Sequence, residues 1–181
     1  AFGNKAVQSN LAESAFNVIT LGGEKNDTPM VAEDGAQFIL LGYKVPENCP
    51  DGKYEIGFGD KCMVFMDNSK NTYSVTKLNG FITVGDGSTP DDTTTTTTKK
   101  PDDVTTTTVK QPVADGDIIF DFGNYEAKPG DTVKVAVTIT PNGKPVAGVD
   151  AVLKHDAPLE LTNIGGKTAA FGNKAVQSNL A

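Results

Sequence analysis

The first twelve residues of the chain, 1–12, recur without a change as its last twelve, 170–181. Two separated copies of a twelve-residue segment of mixed composition do not arise by chance. The 169 residues between their starts, Ala1 and Ala170, therefore behave as one period of a circular or tandem arrangement. The repeat predicts that the natural beginning of the folded unit lies inside the chain, and that a single folded unit has one place for two copies of this segment.

Length and charge restrict the fold and its partners. The chain has 181 residues and a net charge of -7 at pH 7, with a pI of about 4.6. This length suffices for one good core, or one core with a linker, and one domain is the expectation. The acidic balance without a Lys/Arg cluster argues against nucleic acid or an anionic membrane surface as a partner. No run approaches the ~20 apolar residues that a membrane span requires.

The cysteines and the histidine offer little chemistry. Cys49 and Cys62 are too few for a four-cysteine zinc site or a disulfide-stapled miniprotein. A disulfide between them would close a loop around the extended segment 53–59, whose ends lie too far apart unless the chain folds back, so free thiols are favoured. The lone His155 has no Ser or Cys partner motif and cannot form a histidine cluster. The sequence predicts a protein that is not an enzyme and holds no metal or cofactor.

Residues 85–112 differ in composition from the rest of the chain. They contain two threonine runs, three prolines and three pairs of like charges, and Val104 and Val109 are their only sizeable apolar side chains. Such a stretch cannot bury enough apolar area to offset the entropy of ordering it. It predicts an extended, extracellular, O-glycosylated linker between an N-terminal part, 1–84, and a C-terminal part, 113–181. The alternative is an ordered pair of strands, because Thr favours strands.

Both parts have the pattern of short β-strands. β-branched and alternating segments bounded by turn residues predict strands in the C-terminal part at 118–122, 132–140, 148–154 and 159–164. The same reasoning predicts strands in the N-terminal part at 15–21, 37–45, 54–58, 62–66 and 73–84. Residues 10–17 are a weak helical candidate. Many short strands with few helix signals indicate an antiparallel sandwich or jelly roll.

The two parts are expected to complete one another. The C-terminal part supplies about four strands, and two-layer packing needs a partner sheet. If the order is restored by reading from Asp117 to the end and then from Glu13 to Val84, the repeat occurs once. This order gives a continuous unit of about 140 residues, near the commonest domain size.

In that restored order the chain carries five motifs of a known family of β-sandwich modules. They are 126–137 (EAKPGDTVKVAV), 147–161 (AGVDAVLKHDAPLEL), 32–45 (AEDGAQFILLGYKV), 52–58 (GKYEIGF) and 76–84 (TKLNGFITV). Each motif is weak alone, and their cyclic order makes the signal strong. On these motifs the chain resembles a cohesin, the dockerin-binding module of cellulosomal scaffoldins, in circularly permuted order. His155 stands where Tyr is usual, and Ala157 is inserted before the proline.

The resemblance implies a fold, a partner and a location. The fold is a nine-stranded antiparallel jelly-roll β-sandwich, in which a face formed largely by strands 3, 5, 6 and 8 binds a calcium-loaded dockerin. The module is non-catalytic and collects dockerin-bearing enzymes that degrade plant cell walls, or adaptor scaffoldins, into a cellulosome. Calcium belongs to the dockerin partner and not to this chain. Scaffoldins are extracellular, either secreted or attached to the cell surface, and Thr/Pro linkers join their modules.

Strand 3 of the resemblance, residues 148–154, supplies the first candidate contacts. Its alternation produces an apolar face suited to the core, formed by Val149, Ala151 and Leu153. The other three residues then turn outward, and they are Asp150, Val152 and Lys154. Asp150 falls where the family has a dockerin-contacting Asp. An outward Val between two charges suits a protein-binding patch, although a single exposed Val is also ordinary surface.

Strands 5 and 6 supply further candidates. The repeated segment is assigned to strand 5, with Asn10 and Leu11 near its end, and 15–21 is assigned to strand 6. Asn17 and Ile19 are the candidates in strand 6. Alternation in this apolar-rich run leaves open which set of residues turns inward.

The last candidates lie in the segment 62–66. Packing Phe65 inward turns Val64 and Met66 outward, where a flexible Met suits an adaptable interface. Burial of both side chains is the alternative.

A carbohydrate-binding β-sandwich module is the competing function. Sugar-binding platforms usually need exposed aromatic side chains, and this chain has no Trp, while most of its Tyr and Phe residues fall in strand patterns of buried type. As for oligomeric state, a coil of about 28 residues has an r.m.s. span near ~30 Å, so the chain can close on itself. We expect a monomer, with strand exchange or a domain-swapped oligomer as the alternative.

Overall fold

The chain forms an all-β sandwich. The computed structural model describes residues 7–10, 14–19, 21–22, 28–29, 32–66, 71–85, 118–165, 167–168, 174–175 and 177–178. No helix occurs in these ranges, and the expectation of a β-sandwich is confirmed. The weak helical candidate at 10–17 is wrong where it is described, because Ser14 lies in a turn and a strand starts at Ala15. The linker, apart from Gly85, lies outside the described residues.

Seventeen strands are found in the described ranges. In the N-terminal part they are β1 (Val7–Asn10), β2 (Ala15–Ile19), β3 (Leu21–Gly22), β4 (Thr28–Pro29), β5 (Ala36–Lys44), β6 (Gly52–Phe65), β7 (Thr72–Tyr73), β8 (Val75–Leu78) and β9 (Gly80–Val84). In the C-terminal part they are β10 (Ile118–Asp121), β11 (Asn124–Ala127), β12 (Thr132–Thr140), β13 (Gly148–His155), β14 (Glu160–Gly165), β15 (Lys167–Thr168), β16 (Lys174–Ala175) and β17 (Gln177–Ser178).

Two large sheets contain most of these strands. Among the described residues, the first sheet has eight strands in the order β11-β9-β6-β13-β2-β1-β17, with β7 paired to β6. The second has five, in the order β14-β5-β12-β10-β8. Strands β15 and β16 form a small ladder, as do β3 and β4. Each large sheet contains strands from both parts of the chain, so the N-terminal and C-terminal parts pair with one another in both sheets.

Alternation explains how the sheets enclose the core. In β12, Val133, Val135, Val137 and Ile139 are buried while the residues between them are exposed or half-buried. Strand β13 buries Val149, Ala151 and Leu153, so the predicted inward face of this strand is confirmed. Side chains from both sheets meet in one apolar cluster.

A cluster of phenylalanines joins the two layers. The Phe58 ring, on β6 of the first sheet, lies 5.1 Å from the Phe120 ring of the second sheet and 4.9 Å from the Phe122 ring, edge to face in both cases. Phe38 on β5 lies 5.1 Å from Phe120. Such pairs contribute about 0.5–1.5 kcal/mol each beyond the apolar area they bury. Phe58 and Phe120 come from opposite sides of the linker, so this cluster also joins the two parts.

The last strands of the N-terminal part run parallel to the first strands of the C-terminal part. Strand β10 pairs with β8 in the second sheet, and β11 pairs with β9 in the first. The two segments therefore lie next to each other where they leave the second sheet and enter the first, at Gly80 and Gly123. We call this place the crossing. There the amide of Phe81 donates to the Gly123 carbonyl oxygen at 3.2 Å, and the Asp121 carboxylate accepts from the Gly123 amide at 2.8 Å.

Three strand predictions differ from the structure, and the first is segment 15–21, which contributes β2 to the first sheet and Leu21 to β3 of a small ladder. Segments 54–58 and 62–66 were expected to be separate strands but form the single 14-residue strand β6, because an irregularity in its pairing with β13 accommodates the residues between them. Segment 73–84 was expected to be one strand. It is divided into β7, β8 and β9 because the chain changes sheets twice, from the first to the second between β7 and β8 and back to the first at the crossing.

The two copies of the repeat lie side by side. Strand β1, from the first copy, forms an antiparallel pair with β2. Strand β17, from the second copy, pairs parallel to β1 at the edge of the first sheet, with Gln177 opposite Gln8 and Ser178 opposite Ser9. The first copy is thus integrated and the second extends the sheet.

The crossing leaves no room for a side chain at Gly80. A Cβ atom there would overlap the carbonyl oxygen of Gly123, which is backbone and cannot swing away. We expect Gly80→Ala to lower the free energy of unfolding by roughly 1–3 kcal/mol through overpacking. Gly59→Ala is the matched control, since its Cβ would meet Val152 at ordinary contact distances. Urea unfolding of both variants checks this, and equal stabilities would contradict the close approach.

Candidate protein-binding face

The outer surface of the first sheet collects most of the residues that the sequence singled out. We call the outward surface of β6, β13, β2 and β1 the outer face. Because Val149, Ala151 and Leu153 turn inward, their neighbours on β13 turn outward. Asp150 and Val152 are half-buried there, and Lys154 is exposed. The sequence prediction for these three orientations is confirmed.

Two ion pairs connect β13 to β6 on the outer face. Lys61 Nζ lies 2.8 Å from Asp150 Oδ2, and Lys154 Nζ lies 3.7 Å from Glu55 Oε1. The Lys61 and Lys154 side chains are largely in solvent, so each pair contributes below about 1 kcal/mol to stability. Their main effect is on orientation, because the closer pair fixes the Asp150 carboxylate beside Val152.

An irregularity in β6 shapes this patch. The register with β13 steps from Cys62 opposite Ala151 to Phe58 opposite Leu153, so three residues of β6 lie opposite Val152 alone. Such a bulge leaves backbone groups unpaired and bends the strand. Here Lys77 Nζ donates to the Gly59 carbonyl oxygen at 2.9 Å, which satisfies one of them.

The orientation predicted for the end of β6 is wrong. Val64 was expected outward, but it is fully buried and lies opposite Val149 on the inner face. Phe65 was expected inward, but it is half-buried and lies opposite Gly148, which has no side chain and leaves room for a ring on the outer face. The pairing with β13 decides the orientation, because Val149 and Val64 lie directly opposite each other and share one face.

Met63 takes the outward position that was assigned to Val64. It lies opposite Asp150 and is 37% exposed, and among the described side chains it is the exposed large hydrophobic residue. The sequence prediction missed Met63. If the β-branched Val64 is taken as an inward residue, alternation along the strand turns Met63 outward. Met66, the other candidate here, lies just beyond β6 and is half-buried, and its amide donates to the Asn71 carbonyl oxygen at 2.8 Å.

The backbone register places the remaining candidates. Asn17 lies opposite Asp150 and Ile19 lies opposite Gly148, so both occupy positions on the outer face. The question that alternation left open for strand 6 is thereby answered. Asn10 lies opposite Ala15, which is itself opposite Val152, and so falls on the same face. Leu11 lies outside the described residues.

One row of residues crosses the whole of the outer face. Gln177, Gln8, Asn17, Asp150 and Met63 are successive partners in register across five strands. The row joins amide-bearing residues of the repeat to a carboxylate and ends at the exposed methionine. At its end on β13 and β6, the Asp150 carboxylate and the Met63 side chain offer a hydrogen-bond acceptor and an apolar contact to a protein surface.

Two titratable side chains outside the outer face, His155 and Tyr43, pack against each other between the two sheets. The ring of His155 lies against that of Tyr43, with 5.4 Å between centroids. Burial lowers the pKa of His155, against opposing effects of the Leu159 backbone and Asp156, and burial raises the pKa of Tyr43. In the described part of the chain, His155 Nδ1 and Tyr43 Oη have no hydrogen-bond partner. A structural role for His155 fits these contacts.

Both cysteines are free thiols, as the sequence favoured. Cys49 is buried. For Cys62, burial of its own side chain and the nearby Asp150 charge raise the pKa to about 12, although the Lys77 charge acts in the opposite direction. The Cys62 thiol is therefore protonated near neutral pH.

The described residues contain no group of three or more His, Cys, Asp or Glu side chains placed to hold a metal ion. In the same ranges, no helix has the length and apolar character needed to cross a bilayer.

Comparisons with protein-family models, with curated proteins and with solved structures found no match for this chain.

The corrected orientation of β6 leads to a stability prediction. Val64→Ala removes two buried methyl groups from the core, and we expect it to lower the free energy of unfolding by about 2 kcal/mol. Val152→Ala makes the same chemical change on the outer face, where the lost burial is partial, and should cost clearly less. Chemical denaturation of the two variants measures the difference. A larger loss for Val152→Ala would contradict the orientation.

Proposed function

We propose that this chain is a non-catalytic protein-interaction module of a scaffoldin, a cohesin in circularly permuted order, whose outer face binds a calcium-loaded dockerin. Through the dockerin it would collect enzymes that degrade plant cell walls into an extracellular cellulosome. The calcium ions of the complex would belong to the dockerin, and this chain would supply strands and side chains only.

The order of strands in the first sheet carries this proposal. The resemblance assigns the dockerin-binding face to the family's strands 8, 3, 6 and 5, which correspond to β6, β13, β2 and β1. These four strands are direct neighbours in that order within the first sheet. The sequence assigns the repeat to strand 5 and residues 15–21 to strand 6 without reference to strand pairing, so the adjacency of these strands to β13 and β6 supports the proposal.

The crossing supports the permuted order. In the restored order, β10 and β11 begin the unit and β8 and β9 end it. These first and last segments are paired in parallel along their length. Because the pairing is parallel, the natural start at Ile118 lies beside Val75 and the natural end at Val84 lies beside Ala127, so the connection has to span the length of the paired segments. A coil of about 28 residues, with an r.m.s. span near ~30 Å, is long enough to do so.

The chemistry of the outer face suits a protein partner better than a sugar. Met63 supplies a flexible apolar contact beside the Lys61–Asp150 pair, and the Lys154–Glu55 pair lies further along β13 and β6 on the same face. An apolar centre with a polar rim is the usual anatomy of a protein interface. Among the described side chains the exposed large hydrophobic residue is this methionine and not an aromatic ring, which leaves the carbohydrate-binding alternative without a stacking platform in that part of the chain.

Charge placed at Met63 tests the face. We expect Met63→Asp to weaken binding to a calcium-loaded dockerin at least tenfold, about 1.4 kcal/mol, because it puts a second carboxylate opposite Asp150 and removes the apolar contact. Thr132→Asp adds the same charge at an exposed position of the second sheet and should leave the affinity unchanged. Calorimetric titration against dockerins of each type measures both variants.

The same titrations separate the two functions. The native chain should bind at least one calcium-loaded dockerin and should bind neither cellulose nor soluble glycans tightly. Tight glycan binding without dockerin binding would overturn the proposal in favour of a carbohydrate-binding module. Equal weakening by Met63→Asp and Thr132→Asp would place the binding surface elsewhere.

A further inference from the structure

The parallel pairing of the two repeat copies has a specific geometry. Residues 8 and 177 occupy the same position of the twelve-residue segment, as do residues 9 and 178. In the β1–β17 pair, residue 8 lies opposite 177 and residue 9 lies opposite 178. Strand β17 therefore runs in the same direction as β1 and in the same register, displaced by one strand. Parallel strands in register, unlike antiparallel ones, keep identical residues in line.

The first copy holds the place next to β2 because its connection is short. Strands β1 and β2 are joined by residues 11–14, and Ser14 adopts a left-handed conformation with φ 50° that serves a tight reversal. Closing so short a loop costs little entropy. The second copy reaches the same sheet from β14 of the opposite sheet, through the β15–β16 ladder, and pairs outside β1.

Replacing one copy by the other requires only a translation. If β17 moved by one strand spacing, ~4.8 Å, Gln177 would lie opposite Asn17 and Ser178 opposite Phe16, as Gln8 and Ser9 do now. Neither the direction nor the register would change. This matters because a slip of one residue would turn every side chain to the wrong face. Since the two copies are identical in sequence, each contact that β1 makes is available to the second copy.

We propose that the edge of β2 is a binding site for the repeated segment, and that the second copy in the same chain is its alternative occupant. The two copies exchange at this edge: one completes the first sheet beside β2, and the other extends it or leaves. The row of residues across the outer face is then preserved whichever copy is in place. This inference does not depend on the partner proposed above, because it concerns pairing within the chain.

A proline cycle tests the exchange. Gln8→Pro/Ser9→Pro removes both backbone donors from the middle of the first copy, and Gln177→Pro/Ser178→Pro makes the identical change in the second. We expect each variant alone to melt within about 3 °C of the native chain, because the intact copy takes the place beside β2. The variant with all four prolines should melt lower by about 10 °C or more, a strongly non-additive result.

Two results of the cycle would overturn the proposal. If Gln8→Pro/Ser9→Pro alone destabilises the protein as much as all four prolines, the second copy is not an occupant. If this variant stays stable but sediments as a dimer, the replacing strand comes from a second molecule and not from the same chain.

A disulfide trap tests the exchange without proline. Asn17→Cys/Gln177→Cys places thiols two strand spacings apart, ~10 Å, which exceeds the ~7 Å limit for a disulfide unless the second copy moves beside β2. We expect this pair to cross-link in a monomer under mild oxidation, more slowly than the adjacent pair Asn17→Cys/Gln8→Cys. Peptide mapping separates the link from native Cys49 and Cys62. Cross-linking no faster than in Asn17→Cys/Lys134→Cys, with Lys134 on the second sheet, would overturn the proposal.

Discussion

The crossing at Gly80 and Gly123 is the constraint on which the rest of the structure depends. Two segments from opposite sides of the linker change sheets together there, and the Gly123 carbonyl oxygen occupies the space that a Gly80 side chain would need. Each segment donates a backbone hydrogen bond to the other at the crossing. The Phe122 amide donates to the Leu78 carbonyl oxygen at 3.1 Å, and the Phe81 amide donates to the Gly123 carbonyl oxygen at 3.2 Å. Since a buried backbone group without a partner is costly, neither segment can leave without exposing the hydrogen-bonding groups of the other.

The order of the two sheets follows from this crossing. Because β8 and β10 lie together in the second sheet while β9 and β11 lie together in the first, each large sheet contains strands from both parts of the chain. The phenylalanine cluster then fills the space between the layers, with Phe58 and Phe120 drawn from opposite parts of the chain. The outer face is a consequence as well, since β6 from one part and β13 from the other are brought together, and their ion pairs and register determine which side chains point to solvent.

Local sequence patterns predicted strand positions and inward faces correctly where these depend on one strand alone. They failed where the pairing with another strand determines the orientation or the end of a strand. The alternation of 132–140 predicted β12 to the residue, and the inward face of β13 followed from Val149, Ala151 and Leu153. The outward Met63 was missed because Phe65 was taken as the inward residue of this segment, whereas the pairing of Val64 with Val149 turns Val64 inward. The division of 73–84 into three strands was missed because the chain leaves the first sheet between β7 and β8 and returns to it at Gly80, which lies against Gly123, more than forty residues away in the chain.

Cutting the chain inside the threonine-rich linker tests most directly whether the two parts form one sandwich. A specific protease site placed within residues 93–108 leaves all described strands intact. After complete cleavage, the pairing of both parts in the same two sheets predicts that the fragments stay together at native mass in sedimentation, with unchanged β-type circular dichroism. Fragments that separate and lose their circular dichroism signal on cleavage, or that each keep it alone, would contradict the account.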